Sequence, residues 1–168
     1  MAGTIYSKLG ATVQMVSGGE IYSALEQGTI DAAEFIGPYD DEKFGFHQTP
    51  AKYYYAPGWG EPGTSIALYI NIDKWNTLSK EQQRSVQVSA KASNIEMLAR
   101  YDVENAKALK RLINKGVEVR YFSEEILQQA FIESNKILED FSRDNTFKKI
   151  YESIREFKLQ SDKWDQTN

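Results

Sequence analysis

The sequence predicts an α/β chain with a thin sheet of about four short strands and long helices gathered toward its C-terminal end. Three observations carry this. Residues 64–72 (TSIALYINI) are β-branched and flanked by turn residues, the pattern of a strand. From Ser79 to Lys115 a helical pattern runs without Pro or Gly, and Gly116 stops it. Residues 117–122 (VEVRYF) alternate strictly, with Val117, Val119 and Tyr121 on one side, and two further helical patterns follow.

The elements read in chain order as follows. Residues 1–10 form a short helix ended by Gly10. Residues 12–16 (TVQMV) alternate weakly and read as a strand, and Gly18-Gly19 turns the chain. Ile21, Ala24 and Leu25 give residues 20–27 a helical face, closed by Gly28. Residues 29–35 (TIDAAEF) read as a short strand entering the turn Gly37-Pro38. Residues 38–63 depart from any regular pattern: they hold the acidic turn Asp40-Asp41-Glu42, the aromatics Phe44, Phe46, Tyr53, Tyr54, Tyr55 and Trp59, and all four Pro residues of the chain. Aromatics on irregular backbone belong where a rigid surface meets a ligand or another lobe.

After the strand at 64–72, Ser79 with Gln82 spells a capping box. The helix it opens would be roughly 55 Å long at about 1.5 Å per residue, so a kink is expected. Its apolar positions, among them Val86, Ile95, Leu98, Leu109 and Leu112, make a narrow stripe. Ser123 followed by Glu124 and Glu125 caps another helix to about residue 143. A last helix spans about residues 146–163, with Phe147, Ile150, Tyr151, Ile154 and Phe157 on its apolar face.

Composition narrows the function. The net charge is −4, which argues against nucleic acid and against anionic membrane surfaces. There is no Cys, which excludes disulfides and thiol chemistry, and with His47 the lone histidine, multi-His zinc sites are excluded too. No apolar run reaches the about 20 residues of a membrane span, and the start MAGTIYSKLG lacks the pattern of an export signal. The chain is therefore read as not membrane-embedded.

Residues 58–63 match G-x-G-x-x-G, but a dinucleotide fingerprint needs a helix at its end. Here a strand is expected, Pro62 removes an N–H and Glu61 would repel phosphate, so the nucleotide reading is rejected. The bland reading of Asp40-Asp41-Glu42 is a solvated helix start, and that of His47 is packing or a satisfied hydrogen bond. Catalysis through His47 would need a nucleophile and an orienting acid that the sequence does not pair with it. Glu34 stands out: it ends an apolar run just before the Gly-Pro turn, where a carboxylate often faces a cleft, although it equally fits a surface strand end. Glu61 shares that ambiguity. Two carboxylates with nearby carbonyls would hold a hard cation, Na⁺ or Ca²⁺, and a cation lets an acidic site accept an anion.

The run GGEIYSALEQGTIDAAEFIGPYDDEKFGF (18–46) and the loop YYYAPGWGEPG (53–63) are similar to the DctP-type solute-binding proteins of TRAP transporters, within the branch that takes 2-oxo acids or lactate. The order of strand, long helix opening LSKEQQ, strand and terminal helices agrees with it. The resemblance implies one half of a two-lobed periplasmic-binding-protein fold of type II-like form, with a short mixed sheet and long C-terminal helices. It implies second-lobe elements at 1–35 and 64–122, a hinge near 34–36, an aromatic cleft or first-lobe segment at 37–63, and terminal helices at 123–168, all in one incomplete unit. It implies binding without catalysis, and no cofactor beyond a cation at the ligand site.

Glu34 would give that cation a carboxylate and Phe35 its main-chain carbonyl. Phe35 stands where the branch usually has Trp. Glu61 would lie close to ligand and cation, and Trp59 would wall the cleft. The partners implied are a small carboxylate and the TRAP membrane subunits, in an extracytoplasmic setting. Relatives are about twice as long, and their carboxylate-pairing Arg falls before the position of Met1. Unpaired strand edges and an exposed aromatic stretch then predict a homo-oligomer, a dimer or larger. The alternative is a helical oligomerisation domain that no longer binds ligand.

Overall fold

The computed structural model describes residues 1–61, 63 and 66–165. Its elements are α1 (Ala2–Lys8), α2 (Ile21–Glu26), α3 (Pro38–Lys43), β1 (Tyr53–Ala56), α4 (Ile72–Thr77), α5 (Lys80–Asn114), β2 (Glu118–Tyr121), α6 (Glu124–Phe141) and α7 (Asn145–Asp165). They form two compact units: Met15–Tyr121, and Met1–Gln14 together with Phe122–Asn168.

In the unit Met15–Tyr121 the sheet is short: β1 pairs with β2 in parallel, Tyr53 opposite Glu118 and Ala56 opposite Tyr121. Parallel neighbours need a long crossover, and α4 and α5 supply it. β2 lies where alternation predicts it. β1 falls inside the stretch expected to be irregular; three consecutive Tyr have strong strand preference once a neighbour exists. Tyr54 turns inward while Tyr53 and Tyr55 face out. Arg120 then covers the Tyr53 ring, 3.4 Å from its centroid.

Three expected strands do not form. Residues 12–16, 29–35 and 66–71 have no regular secondary structure, and Thr64 and Ser65 lie outside the described residues. Their patterns fit a pleated surface, but a strand must share its N–H and C=O groups with a neighbour. Among the described residues no strand pairs with them. Residues 66–71 stay exposed, with Tyr69 90% exposed, whereas Phe35 is half-buried.

α5 opens on the predicted box: Ser79 Oγ accepts from Gln82 N at 3.3 Å, and Ser79 N donates to Gln82 Oε1 at 2.8 Å. It runs 35 residues as continuous α-helix, so the expected kink does not break it. Gly116, at φ 91°, takes the left-handed conformation that ends it. The expected stripe is corrected. Ile95 and Leu98 are exposed, and the buried positions are Ala108 and Leu112. Those two lie toward the end that faces α3, because the earlier turns have little to pack against.

In the other unit α1 packs on α6, with Ile5 and Ala130 buried. Ser123 caps α6 by accepting from Ile126 N, and Asp144 Oδ1 accepts from Phe147 N at 2.8 Å where α7 begins. Phe141 and Phe147 meet edge to face across the break, 5.5 Å between centroids. The apolar face of α7 (Ile150, Ile154, Phe157, Trp164) is exposed.

Candidate functional site

The site is built around the bend at residues 34–37, where the chain leaves an irregular stretch and enters α3. Pro38 occupies the first turn of α3, with Asp40 and Asp41 beside it. α3 is strapped along α5. Tyr39 N donates to Asn105 Oδ1 at 3.0 Å, and Arg111 grips Glu42 through Nη2 at 2.6 Å and Nε at 2.9 Å. Lys115 Nζ adds a third contact to Glu42 at 3.1 Å. These cations hold the Glu42 carboxyl down at a pKa of about 2. The partners recur every three or four residues (Tyr101, Asn105, Ala108, Arg111-Leu112, Lys115), which puts them on one face of α5.

The expectation of a solvated acidic turn is therefore corrected: the Asp40 and Glu42 side chains are only 15% and 14% exposed, and Asp41 is buried. Glu42 is the centre of an ion cluster. Asp41 is buried, and its two oxygens are both used: Oδ2 accepts from the Tyr54 hydroxyl at 2.5 Å and Oδ1 from Gly37 N at 3.3 Å. Burial raises the Asp41 pKa despite these bonds, and it raises that of Tyr54 too, helped by the Asp41 charge. Sequence reasoning missed this pair. The available signal was a Tyr in a run with strand preference and an acid four residues after a Gly-Pro turn. His47 stands 3.4 Å from Lys115 Nζ, and its pKa is lowered by partial burial and then by that cation.

Of the predicted site residues, Glu34 is exposed beside the bend, and its pKa is raised by partial burial, then by the negative charges of Glu61 and Asp41. The Phe35 ring is half-buried and turned into an aromatic cluster, edge-on to Phe44 at 5.0 Å and Phe46 at 5.4 Å. Gly18 lies close by: a Cβ on it would be 3.2 Å from that ring, a tight contact that the ring would have to yield to. With the ring engaged, no donor among the described residues bonds the Phe35 carbonyl. Trp59 is half-buried in the loop that carries Glu61, and Pro62 lies outside the described residues. Residues 66–71, beyond that loop, are not helical.

Chemically this is an acidic bend whose Phe35 carbonyl has no donor among the described residues. Among the described residues no three acidic or His side chains form a set that could hold a metal. A cation here would thus rest on two carboxylates and main-chain oxygen, the hard-oxygen chemistry of Na⁺ or Ca²⁺. Burial first, and negative charge from Glu61 and Asp41 second, raise the Glu34 pKa, and a cation beside it would offset the second of these.

A half-lobe with a parallel strand pair, a long crossover helix and an oxygen-rich acidic bend has the character of a binding protein. The model of the DctP family, bacterial extracellular solute-binding protein family 7, matches residues 1–144, and the chain belongs to that family. It is 43% identical over its whole length to a monocarboxylate 2-oxoacid-binding periplasmic protein of Nostoc sp. (strain PCC 7120), of which it covers 46%.

Among solved structures it resembles a TRAP transporter solute-binding protein from Bordetella bronchiseptica RB50, with TM-score 0.94 and 38% identity, over all of this chain and 50% of that one. That protein is a mixed-occupancy dimer with copurified calcium and picolinate in the bound active site. It also resembles a TRAP periplasmic solute-binding protein from Pseudoalteromonas atlantica T6c with bound sodium and pyruvate, with TM-score 0.88 and 32% identity, over 97% of this chain and 50% of that one. The chain thus spans about half the length of the relatives it matches. The family is one of solute-binding proteins and not of enzymes, as the sequence reading expected.

Proposed function

We propose that this chain forms the cation-holding wall of a solute site for small carboxylates such as 2-oxo acids or lactate, working with TRAP membrane subunits outside the cytoplasm. Glu34 and Glu61 supply carboxylates, Phe35 its carbonyl, and Trp59 an aromatic wall. The cation, Na⁺ or Ca²⁺, turns an acidic surface into one that accepts an acid. What supports this reading is the bend that sets Glu34 next to the Phe35 carbonyl, for which no hydrogen-bond donor is found among the described residues. Relatives that bind pyruvate with sodium, or picolinate with calcium, support the choice of ligand class. Among the described residues no helix is long and apolar enough to cross a membrane, which agrees with a role beside membrane subunits and not within them.

A thermal melt tests it. Calcium with pyruvate at millimolar concentration should raise the melting point, because a ligand of the folded state alone must do so. No shift with any pairing of calcium or sodium with pyruvate or lactate would sink the reading for this chain.

A second reading has its own observation. The apolar face of α7 is uncovered, with Ile150, Ile154, Phe157 and Trp164 between 57% and 71% exposed. Such a face favours a helical homo-oligomer, whether or not ligand binds.

A further inference from the structure

α3 and α5 share a cleft that contains none of the residues assigned to the cation. Its volume is about 300 Å³, at the lower end of what takes a small molecule. Tyr39 and Lys43 line it from α3, about one helical turn apart. Glu96, Met97, Arg100 and Tyr101 line it from α5, in pairs four residues apart that share one face.

The cleft joins rings to cations. Tyr39 and Tyr101 meet edge to face, 5.8 Å between centroids, and Met97 is 42% exposed along the same wall. Lys43 Nζ stands 3.5 Å from the centroid of the Tyr39 ring, and Arg100 Nη2 donates to the Tyr39 hydroxyl at 3.4 Å. Tyr39 is itself fixed, because its N–H donates to Asn105 Oδ1. The positive charges are only partly spent. Lys43 meets Asp40 loosely, at 3.8 Å. Arg100 is exposed, and among the described residues its hydrogen bond to Tyr39 is not joined by an ion pair. A guanidinium carries several N–H donors in a planar fork, and the Tyr39 hydroxyl occupies one of them. The lining sets two cations against the one carboxylate of Glu96, a net positive cleft in a chain of net charge −4.

We propose that this cleft is a second binding site, for a small carboxylate carried on a flat ring: Arg100 takes the carboxylate, and Tyr101 and Met97 pack against the ring. A carboxylate matches the guanidinium fork with paired, charge-assisted bonds. Lys43 adds positive charge from α3. Since Lys43 already covers one face of the Tyr39 ring, the apolar body of the ligand falls to Tyr101 and Met97, and both an aromatic ring and a thioether favour an aromatic neighbour.

NMR titration of the full chain with benzoate, in buffer stripped of divalent cations, tests this. The Arg100 side-chain Nε–H and the amides of Tyr39, Met97 and Tyr101 should move together and saturate at millimolar benzoate. Arg100→Gln, at an exposed position, should weaken binding by at least about tenfold. Glu96→Gln should do the opposite and tighten it, because the cleft loses its negative charge. Acetate, which has the carboxylate without the ring, should bind about tenfold more weakly than benzoate.

No saturable shift in the native chain, or equal benzoate affinity in Arg100→Gln, would overturn the site. Acetate binding as tightly as benzoate would overturn the ring-bearing class of ligand, since only charge would then be read. The titration holds no calcium, so its outcome is separate from that of the cation site.

Discussion

Replacing Glu42 with Gln removes the charge that straps α3 to α5 while keeping the side chain's size. In the native chain Glu42 meets Arg111 through contacts of 2.6, 2.9 and 3.2 Å and Lys115 at 3.1 Å. Its pKa falls from 4.5 to about 2. Taken at face value that gap is worth about 3 kcal/mol. The Glu42 side chain is only 14% exposed, but those of Arg111 and Lys115 are 45% and 47% exposed. Water screens the pairs, and about 1–2 kcal/mol is the expected loss at pH 7.

The sign fixes the pH window. A depressed carboxyl pKa adds stability that is fully present above 4.5 and fades as pH falls toward about 2. Urea denaturation of the native chain and Glu42→Gln should therefore differ at pH 7 and converge as the pH is lowered from 5 to 3. The difference should also shrink in about 0.5 M salt. Equal stabilities at pH 7, or a gap that stays constant down to pH 3, would refute the claim that this cluster holds the helix bearing Asp41.

Other variants probe the frame and the site. Leu112→Ala empties the best-buried large position on α5, 1% exposed, and should cost about 2–5 kcal/mol by chemical denaturation. Ser79→Ala removes the cap and its reciprocal bond, and should cost about 1 kcal/mol, read in the same assay. Glu34→Gln should separate stability from binding. A carboxyl with a raised pKa makes its own ionisation unfavourable in the folded chain, so this variant should melt higher without ligand near pH 7 and lose the calcium-induced shift. Calcium affinity of the native chain should fall with pH through a window that opens above the ordinary 4.5, as Glu34 takes up its proton. Light scattering should find an oligomer that Phe157→Glu on the exposed face of α7 dissociates; an unaltered mass would remove α7 from the interface.

The helices were legible because their signals are local. Ser79 with Gln82, Ser123 before two acids, and Gly116 after a long unbroken run mark ends through bonds made within a few residues. Strands were legible only where this chain supplies the neighbour. Residues 117–122 hold their strand because the Tyr run of β1 lies alongside, whereas residues 66–71, the described middle of the clearest strand pattern in the sequence, are exposed and have no strand partner among the described residues. Pattern reports what a segment can do, and pairing depends on what is next to it. The site shows the same division. Glu34 and Glu61 could be singled out as carboxylates before and within turns. Asp41 could not, since its place comes from a Tyr thirteen residues on and from the backbone N–H of Gly37. The acids of the turn looked alike in sequence, and only packing against α5 and β1 gave each a different task.

The measurement that bears most directly on the account is calorimetric titration of calcium into the native chain, Glu34→Gln and Glu61→Gln, with and without pyruvate. The account predicts one saturable site in the native chain, its affinity increased by pyruvate and lost or greatly weakened in both variants. Calcium binding of equal strength in all three, or none in the native chain, would contradict it.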